Sequence, residues 1–379
     1  MYTEKKKILV FTDWYLPGYR AGGPIRSLAN LVSTLKHDFY IVTRNTDHHS
    51  NIPYAGITPN KWIKQSENVN VIYFEEENLT ASTFQRIFSE QTFDKIYFNS
   101  LFSPRFTLLP LRVAKKLGLH SSIVLAPRGM LKPGALSIKA RKKKIFLLLA
   151  KFTGLFRGIR WHVTSEDEKE GVVKHFRSAH DIRIAPNLSN VPMEKPNKPN
   201  KQSGELKLIC IARISAEKGI LEAIQFLKQL QPGNTSCDFY GTQQNPYYLE
   251  ECRKLADTIN GVKIRFMGEI PPHEIPDKLK LYHFFYMATW GENFGHAISE
   301  ALTNATPVII SDKTPWRGLE EKNAGWDIAL DATHFGETLN RCLHMTNSEY
   351  GKLCEGAYKH GRHVALDHAS IEACYQLFD

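Results

Sequence analysis

The chain has 379 residues, of which 42% are hydrophobic, and a formal net charge of +10 at pH 7. That length is enough for two or three domains, each with its own core. The longest aliphatic run, IFLLLA at 145–150, is far shorter than the about 20 apolar residues of a membrane-spanning helix.

The cysteines and the N-terminal sequence bear on where the protein works. Six cysteines are scattered without a C-x-x-C pair, and MYTEKKKILVFTD runs from charge directly into a strand-like segment. We therefore expect reduced thiols, no signal peptide and a cytoplasmic protein.

Short apolar runs alternate with helical periods along the first half of the chain. KILVFTD, FYIVTRN, KIYFNS, SIVLAPRG and RWHVTS are strand-like, whereas GGPIRSLANLVSTL, FTLLPLRVAKKLG and KARKKKIFLLLAKFTGLF have helical spacing. This alternation predicts parallel strands joined by crossover helices. We expect a first domain over 1–190.

A segment rich in proline and asparagine, NLSNVPMEKPNKPNKQSGE, interrupts this pattern. We interpret 191–205 as a linker. The alternation restarts with LKLICIAR and continues to TPVIISD, which predicts a second domain over 206–360. The remaining residues, 361–379, are expected to form a helix that crosses back to the first domain. The sequence thus predicts an α/β protein with two domains and a cleft between them.

Positive charge is concentrated in the first half. Residues 1–190 carry a net charge of +14 and the remainder −4, and Lys95 to Ser165 contains 15 Lys and Arg residues but no Asp or Glu. A field of one sign attracts phosphates, an anionic bilayer or nucleic acid.

Two loops in the second half combine charge with a strand-to-helix transition. In ARISAEKG, Arg213 ends a strand and Lys218 lies where a helix should begin, so two cations beside helix-terminal amides can hold a diphosphate. In GENFGHAISEAL, Glu292 lies in the loop and Glu300 about two turns along the helix. The two carboxylates can therefore accept hydrogen bonds from different hydroxyl groups of one extended ligand.

A third strand end, MGEI at 267–270, can offer backbone groups to a planar base. Taken singly, an Arg, a Lys or a helix N-terminal acid is more often an ordinary surface residue. The order and spacing of the Glu292/Glu300 pattern, the Arg213/Lys218 pair and the glycine loop at 21–23 are more informative than any one of them.

Together these motifs resemble glycosyltransferase family 4. The resemblance rests on the E-x7-E pattern of Glu292 and Glu300, the preceding AR-x4-KG and the following TPVIISD, and AGG at 21–23, TSEDE at 164–168 and APN at 185–187 extend it over nearly the whole chain. It implies a GT-B fold of two Rossmann-like domains. It also implies retaining, metal-independent transfer of a hexose or N-acetylhexosamine from a nucleotide sugar, with no cofactor.

The resemblance also implies roles for single residues. Arg213 and Lys218 would hold the donor diphosphate, Glu292 would contact the transferred sugar, and Glu300 would bind the ribose hydroxyls. The other expected donor-binding residues are Gly22, Gly23, Gly268, Glu269, Phe294, Gly295 and His296.

One position departs from the family pattern. Many members carry a histidine after the strand that here reads SIVLAPRGML, and this chain has Arg128 in about that place. Two interpretations are open. Arg128 replaces the histidine and touches the sugar or the leaving phosphate, or this chain is misaligned with the family pattern at that position.

Other functions fit the same fold or the same charge. A nucleotide-sugar epimerase would convert the donor without an acceptor, whereas a phosphorylase would need a lysine holding pyridoxal phosphate in a longer chain. Nucleic-acid binding would use the basic half but leaves the loop residues without a role, and no nucleic-acid motif supports it.

The basic cluster Lys139, Arg141, Lys142, Lys143 and Lys144 precedes an apolar helical stretch. Its large side chains fall on one helical face: Ile145, Leu148, Leu149, Phe152 and Phe156. We expect most of that face to pack on the sheet of the first domain, while the cations contact an anionic membrane surface. The sequence thus predicts peripheral association with the inner face of the cytoplasmic membrane, a lipid-linked glycan acceptor and a role in surface polysaccharide or lipopolysaccharide synthesis.

Overall fold

Two mainly parallel β-sheets organise the chain. A computed structural model describes residues 4–137, 139–243 and 245–379. The chain divides into two units at Leu188/Ser189 and again at Leu366/Asp367, so that Asp367–Asp379 belongs to the first unit. The segment 191–205, predicted to be a linker, lies in the second unit, whose first strand begins at Glu205.

The first sheet has eight strands in the order β3-β4-β2-β1-β5-β6-β7-β8, and only β3 and β4 pair antiparallel. The strands are β1 (Lys7–Phe11), β2 (Asp38–Arg44), β3 (Trp62–Ser66), β4 (Val69–Phe74), β5 (Lys95–Phe98), β6 (Ile123–Leu125), β7 (Arg160–Val163) and β8 (Asp181–Ile184). The strand order changes direction between β1 and β5.

The second sheet has six strands, all parallel, in the order β11-β10-β9-β12-β13-β14. They are β9 (Glu205–Ile211), β10 (Asn234–Tyr240), β11 (Val262–Gly268), β12 (Phe284–Met287), β13 (Val308–Ser311) and β14 (Gly325–Ile328). The chain runs outward from β9 to one edge and from β12 to the other. Loops that follow β9 and β12 therefore flank a topological switch point, where ligands bind in open α/β sheets.

Helices connect the strands in both units. The first unit contains α1 (Gly23–Thr34), α2 (Ala81–Glu90), α3 (Leu109–Lys116), α4 (Pro133–Ser137), α5 (Ala140–Phe152) and α6 (Glu166–His175). The second contains α7 (Ile220–Phe226), α8 (Pro246–Ala256), α9 (Ile275–Leu279), α10 (His296–Thr303), α11 (Ala332–His344) and α12 (Asn347–Ala365). The last helix, α13 (His368–Gln376), returns to the first unit.

Polar residues start several of these helices. The Ser165 hydroxyl accepts a hydrogen bond from the Glu168 amide at α6, and Asp331 does the same for His334 at α11. At α12, Thr346 and Glu349 form a reciprocal capping box. Such caps satisfy backbone amides that have no partner within the helix.

The C-terminal segment is anchored in the core of the first unit. Cys374, Leu377 and Phe378 are fully buried among residues of β1, β2 and β5. The Lys6 ammonium donates to the Phe378 carbonyl at 2.8 Å, and the Lys95 ammonium donates to the Asp379 carbonyl at 2.7 Å. Apolar burial and charge-assisted hydrogen bonds thus both hold this segment.

The expected burial of the α5 apolar face is wrong. Ile145, Leu148, Leu149 and Phe152 are 59%, 68%, 56% and 91% exposed, and only Phe156, beyond the helix, is buried. The face that packs on the first unit is a different one and contains Leu147 and Ala150. The helix has apolar residues on two faces, so periodicity alone did not identify the covered one.

In the ranges 4–137, 139–243 and 245–379, no helix has both the length and the apolar character needed to cross a membrane.

Candidate active site

The loop after β9 brings its lysine to the switch point of the second sheet. A short 3-10 turn, Ala216–Lys218, precedes Gly219, which has a φ of 62° and joins the turn to α7. Lys218 is buried, whereas the Arg213 side chain is exposed and lies 3.4 Å from the Glu217 carboxylate. The two predicted diphosphate ligands therefore lie in one loop but differ in solvent access.

Gly219 fits tightly against the end of β12. A Cβ at this position would overlap the carbonyl oxygen of Ala288, and its left-handed backbone is one that other residues adopt only under strain. The close approach lets the loops after β9 and β12 meet.

The loop after β12 is hydrogen-bonded to the loop after β9. The Glu217 carbonyl accepts from the Trp290 amide at 3.1 Å and from the Thr289 hydroxyl at 3.2 Å. The Trp290 indole N–H donates to the Glu222 carboxylate at 2.8 Å. These contacts fix the backbone just before the predicted sugar-binding glutamate, Glu292.

Lys218 and Glu292 form an ion pair. The ammonium lies 2.8 Å from Glu292 Oε1, and the two side chains are 11% and 18% exposed. The Glu292 amide donates to the Lys313 carbonyl at 3.2 Å, which holds the backbone at Glu292. Two residues that were predicted to bind different parts of a donor thus contact each other directly.

Phe294, Gly295 and His296 form the start of α10. Gly295 is buried with a φ of 80° and precedes the helix, which has no side-chain cap. The rings of Phe294 and His296 lie 4.9 Å apart. An uncapped helix N-terminus favours anionic groups because its amides and dipole point toward them.

Trp316 supports this turn and was missed by the sequence analysis. Its indole N–H donates to the Phe294 carbonyl at 2.6 Å, and its ring centroid lies 5.8 Å from that of Phe294. The only signal in the sequence was a tryptophan shortly after the strand TPVIISD.

Glu300 lies on α10, half-buried, with Ser299 beside it. The buried Ser299 hydroxyl is 2.6 Å from that of Ser189, which ties α10 to the start of the second unit. Gly268 is the last residue of β11, which lies two strands away from β9 at the edge of the sheet, and Glu269 follows it. The Gly268 carbonyl accepts from the Gly241 amide at 2.8 Å.

In the first unit, Arg128 is held by three side chains. Its Nε donates to Asn99 at 2.7 Å, Nη1 to Asn187 at 2.8 Å and Nη2 to the Tyr97 hydroxyl at 2.8 Å. The backbone at Arg128 has a φ of 52°, which few residues other than glycine adopt. Asn99 and Asn187 were not predicted as partners of Arg128, although KIYFNS and APN contain them.

The Arg128 cluster continues into a buried histidine. The Tyr97 hydroxyl lies 2.8 Å from His162 Nδ1, and His162 Nε2 lies 2.9 Å from the Ala185 carbonyl. Burial lowers the pKa of His162 to about 3 and raises that of Tyr97 to about 12. A neutral His162 that donates from Nε2 and accepts from Tyr97 satisfies both contacts.

Asn99 also connects Arg128 to the glycine loop. Its amide nitrogen lies 3.3 Å from the Pro24 carbonyl, next to Gly23 at the start of α1. Gly22 has a φ of 70°, and an added Cβ on either glycine would meet no atom within 4 Å. Asn99 thus links Arg128 to Pro24, the residue that follows Gly22 and Gly23.

The basic residues that were predicted to contact a membrane lie on α5 and just before it. Lys139 precedes the helix in a left-handed conformation, and Arg141, Lys142 and Lys144 are exposed. Lys143 differs from them, since its ammonium donates to the Ala135 carbonyl at 2.5 Å and lies over the Phe102 ring.

The second unit, which contains the switch point between β9 and β12, matches a known protein family. Residues 193–360 match the family described as Glycosyl transferases group 1. The matched region covers less than half of the chain. It contains Arg213, Lys218, Glu292 and Glu300 and the switch point between β9 and β12. No curated protein matches the chain.

Solved structures match the whole chain at low sequence identity. Sucrose-phosphate synthase (tll1590) from Thermosynechococcus elongatus is 16% identical, with 99% of this chain and 98% of that chain covered and a TM-score of 0.70. Anabaena Alr3699/HepE in complex with UDP and glucose is 15% identical, with 98% of each chain covered and a TM-score of 0.67. WaaG, a glycosyltransferase involved in lipopolysaccharide biosynthesis, is 14% identical, with 98% of each chain covered and a TM-score of 0.63. The predicted GT-B fold is confirmed.

The close approach at Gly219 predicts a specific loss of stability. Gly219→Ala should lower the free energy of unfolding by at least about 2 kcal/mol more than the same substitution at a matched glycine. The reason is that it adds overlap with Ala288 to backbone strain. The matched control is Gly261→Ala, where φ is 78° and nothing lies within 4 Å of the added Cβ. Backbone strain alone should lower the free energy of unfolding of this variant by about 1–2 kcal/mol. Chemical denaturation measures both, and equal losses would contradict the account.

Proposed function

We propose that the chain is a retaining glycosyltransferase that uses a nucleotide sugar, with UDP as the nucleotide. The observation that carries the proposal is the Lys218–Glu292 pair at the switch point of a group 1 domain. The UDP assignment is supported by the Anabaena protein of the same fold, whose structures contain UDP and glucose or UDP-glucose.

The proposed roles follow from charge and position. The donor diphosphate would lie beside Lys218 and Arg213, and the uncapped start of α10 would add backbone amides to the same negative charge. Glu292 would accept hydrogen bonds from the transferred sugar and Glu300 from the ribose. Gly268 and Glu269, at the end of β11, would line the base.

The reaction would need little from the protein beyond electrostatics. As the bond between C1 of the sugar and the diphosphate oxygen breaks, negative charge grows on the leaving group, where Lys218 and Arg213 stabilise it. The acceptor oxygen would bond to C1 on the same face, and its proton would pass to the leaving diphosphate. Both cations would thus bind the diphosphate more strongly in the transition state than in the ground state.

We propose a hexose or N-acetylhexosamine as the transferred sugar and a lipid-linked glycan as the acceptor. The acid-free basic segment from Lys95 to Ser165 would suit an acceptor with anionic phosphate at the inner face of the cytoplasmic membrane. A role in surface polysaccharide or lipopolysaccharide synthesis is supported by the fold shared with WaaG.

The two glutamates should have separable effects. Glu300→Gln should weaken UDP and UDP-sugar binding alike, by about tenfold, because both ligands contain the ribose. Glu292→Gln should reduce the rate of UDP release from the donor by at least about tenfold. Its affinity for UDP should stay the same or become tighter, because the Glu292 carboxylate no longer competes with the phosphates for Lys218. Calorimetry with UDP and a UDP-release assay measure the two quantities.

Glu251→Gln on the exposed side of α8 is the matched control and should change neither quantity. If both glutamate variants release UDP within a few-fold of wild type, the assignment is wrong. Conversion of the donor sugar at full rate without an acceptor would instead indicate an epimerase.

We also propose that transfer needs no metal ion, because Lys218, Arg213 and helix-terminal amides supply the positive charge on the diphosphate. Activity should therefore be unchanged by EDTA in excess over all divalent ions. Loss of activity with recovery on added magnesium or manganese would overturn this proposal.

A further inference from the structure

Helix α5 presents an apolar stripe to solvent. Ile145, Leu148, Leu149 and Phe152 occupy positions i, i+3, i+4 and i+7, so they share one helical face, and all four are exposed. Single exposed apolar residues are ordinary on protein surfaces, but a contiguous patch marks an interaction site.

The opposite face holds the helix firmly on the first unit. Leu147 and Ala150 are buried in its core, and the Phe146 ring contacts those of Phe102 and Phe156 at centroid distances of 5.5 and 6.3 Å. Together with the Lys143 hydrogen bond to Ala135, these contacts fix the rotation of the helix. The stripe therefore faces outward because the other face is already packed.

Exposed cations border the stripe. At 3.6 residues per turn, Lys142 lies along one side of it, Lys144 and Lys151 lie along the other, and Arg141 continues it toward the helix start. No Asp or Glu occurs from Lys95 to Ser165 to offset these charges. An apolar stripe flanked by cations matches the surface of an anionic bilayer, where acyl chains lie beneath negative headgroups.

We propose that α5 is an interfacial helix that inserts Leu148, Leu149 and Phe152 among the lipids of an anionic membrane. This role of α5 rests on the proposed function, since membrane insertion would hold the enzyme close to a lipid-linked acceptor. The proposal goes beyond charge attraction, because the apolar stripe itself enters the bilayer. A second copy of the chain is a poorer occupant, because symmetric pairing of two such helices would bring their cations together.

Vesicle co-sedimentation of the full chain tests the insertion. Wild type should bind vesicles of phosphatidylcholine with phosphatidylglycerol far better than phosphatidylcholine alone. The double variant Leu148→Ser/Phe152→Ser should bind anionic vesicles at least about tenfold more weakly at both low and high salt. Lys142→Gln/Lys144→Gln should weaken binding by about 30-fold at low salt, and by less at high salt, where the charges are screened.

Met193→Ser is the matched control, because Met193 is a fully exposed apolar residue outside α5. It should bind vesicles as wild type does. Thermal unfolding shows whether the variants fold, and UDP affinity, which should be unchanged in all of them, separates a failure of docking from a failure of the proposed function.

A label at the stripe reports insertion directly. All six cysteines are free and buried, so Phe152→Cys creates an accessible thiol that can carry a polarity-sensitive fluorophore. Its emission should shift to the blue when anionic vesicles are added, whereas the same label on Met193→Cys should not respond. Unchanged emission at position 152, equal binding by the serine variant, or self-association that the serine variant abolishes would each overturn the proposal.

Discussion

The contact between the Lys218 ammonium and the Glu292 carboxylate is the constraint on which the candidate site depends. Both side chains are mostly buried, so each charge relies on the other as a close partner of opposite sign. A diphosphate that approaches Lys218 adds negative charge beside Glu292, and the pair must then loosen or share the cation. Hydroxyl groups of a sugar can take over as partners of the carboxylate. If the chain binds a nucleotide sugar as proposed, the ion pair would keep the site arranged and donor binding would exchange its partners.

The backbone around the pair is built to keep these two residues together. Gly219 allows the loop after β9 to touch the end of β12, and the Glu217 carbonyl accepts hydrogen bonds from the loop after β12. Trp316 then holds the Phe294 carbonyl just before α10. Since β9 and β12 are neighbours where the strand order reverses, residues 74 positions apart in sequence become an ion pair.

Much of this arrangement was predictable from sequence. Alternating apolar runs indicated parallel α/β sheets, and the spacing of Glu292 and Glu300 across a glycine turn correctly placed one acid in a loop and the other on a helix. No pattern along the chain indicated that Lys218 and Glu292 would bind each other, because strand order brings them together. The α5 prediction failed for a related reason, since Leu147 and Leu148 are equally apolar and only packing against the core of the first unit decides which one is buried. Asn99, whose contacts join Arg128 to the glycine loop, carried no motif at all.

The central claim is that Lys218 binds the donor diphosphate, and calorimetry with UDP and with uridine tests it most directly. Lys218→Met should weaken UDP binding by at least about tenfold, because it removes a cation and leaves the Glu292 carboxylate facing the phosphates. Uridine has no phosphate, so its affinity should be unchanged, and Lys228→Met on the exposed surface should affect neither ligand. Unchanged UDP affinity in a folded Lys218→Met protein would contradict the account.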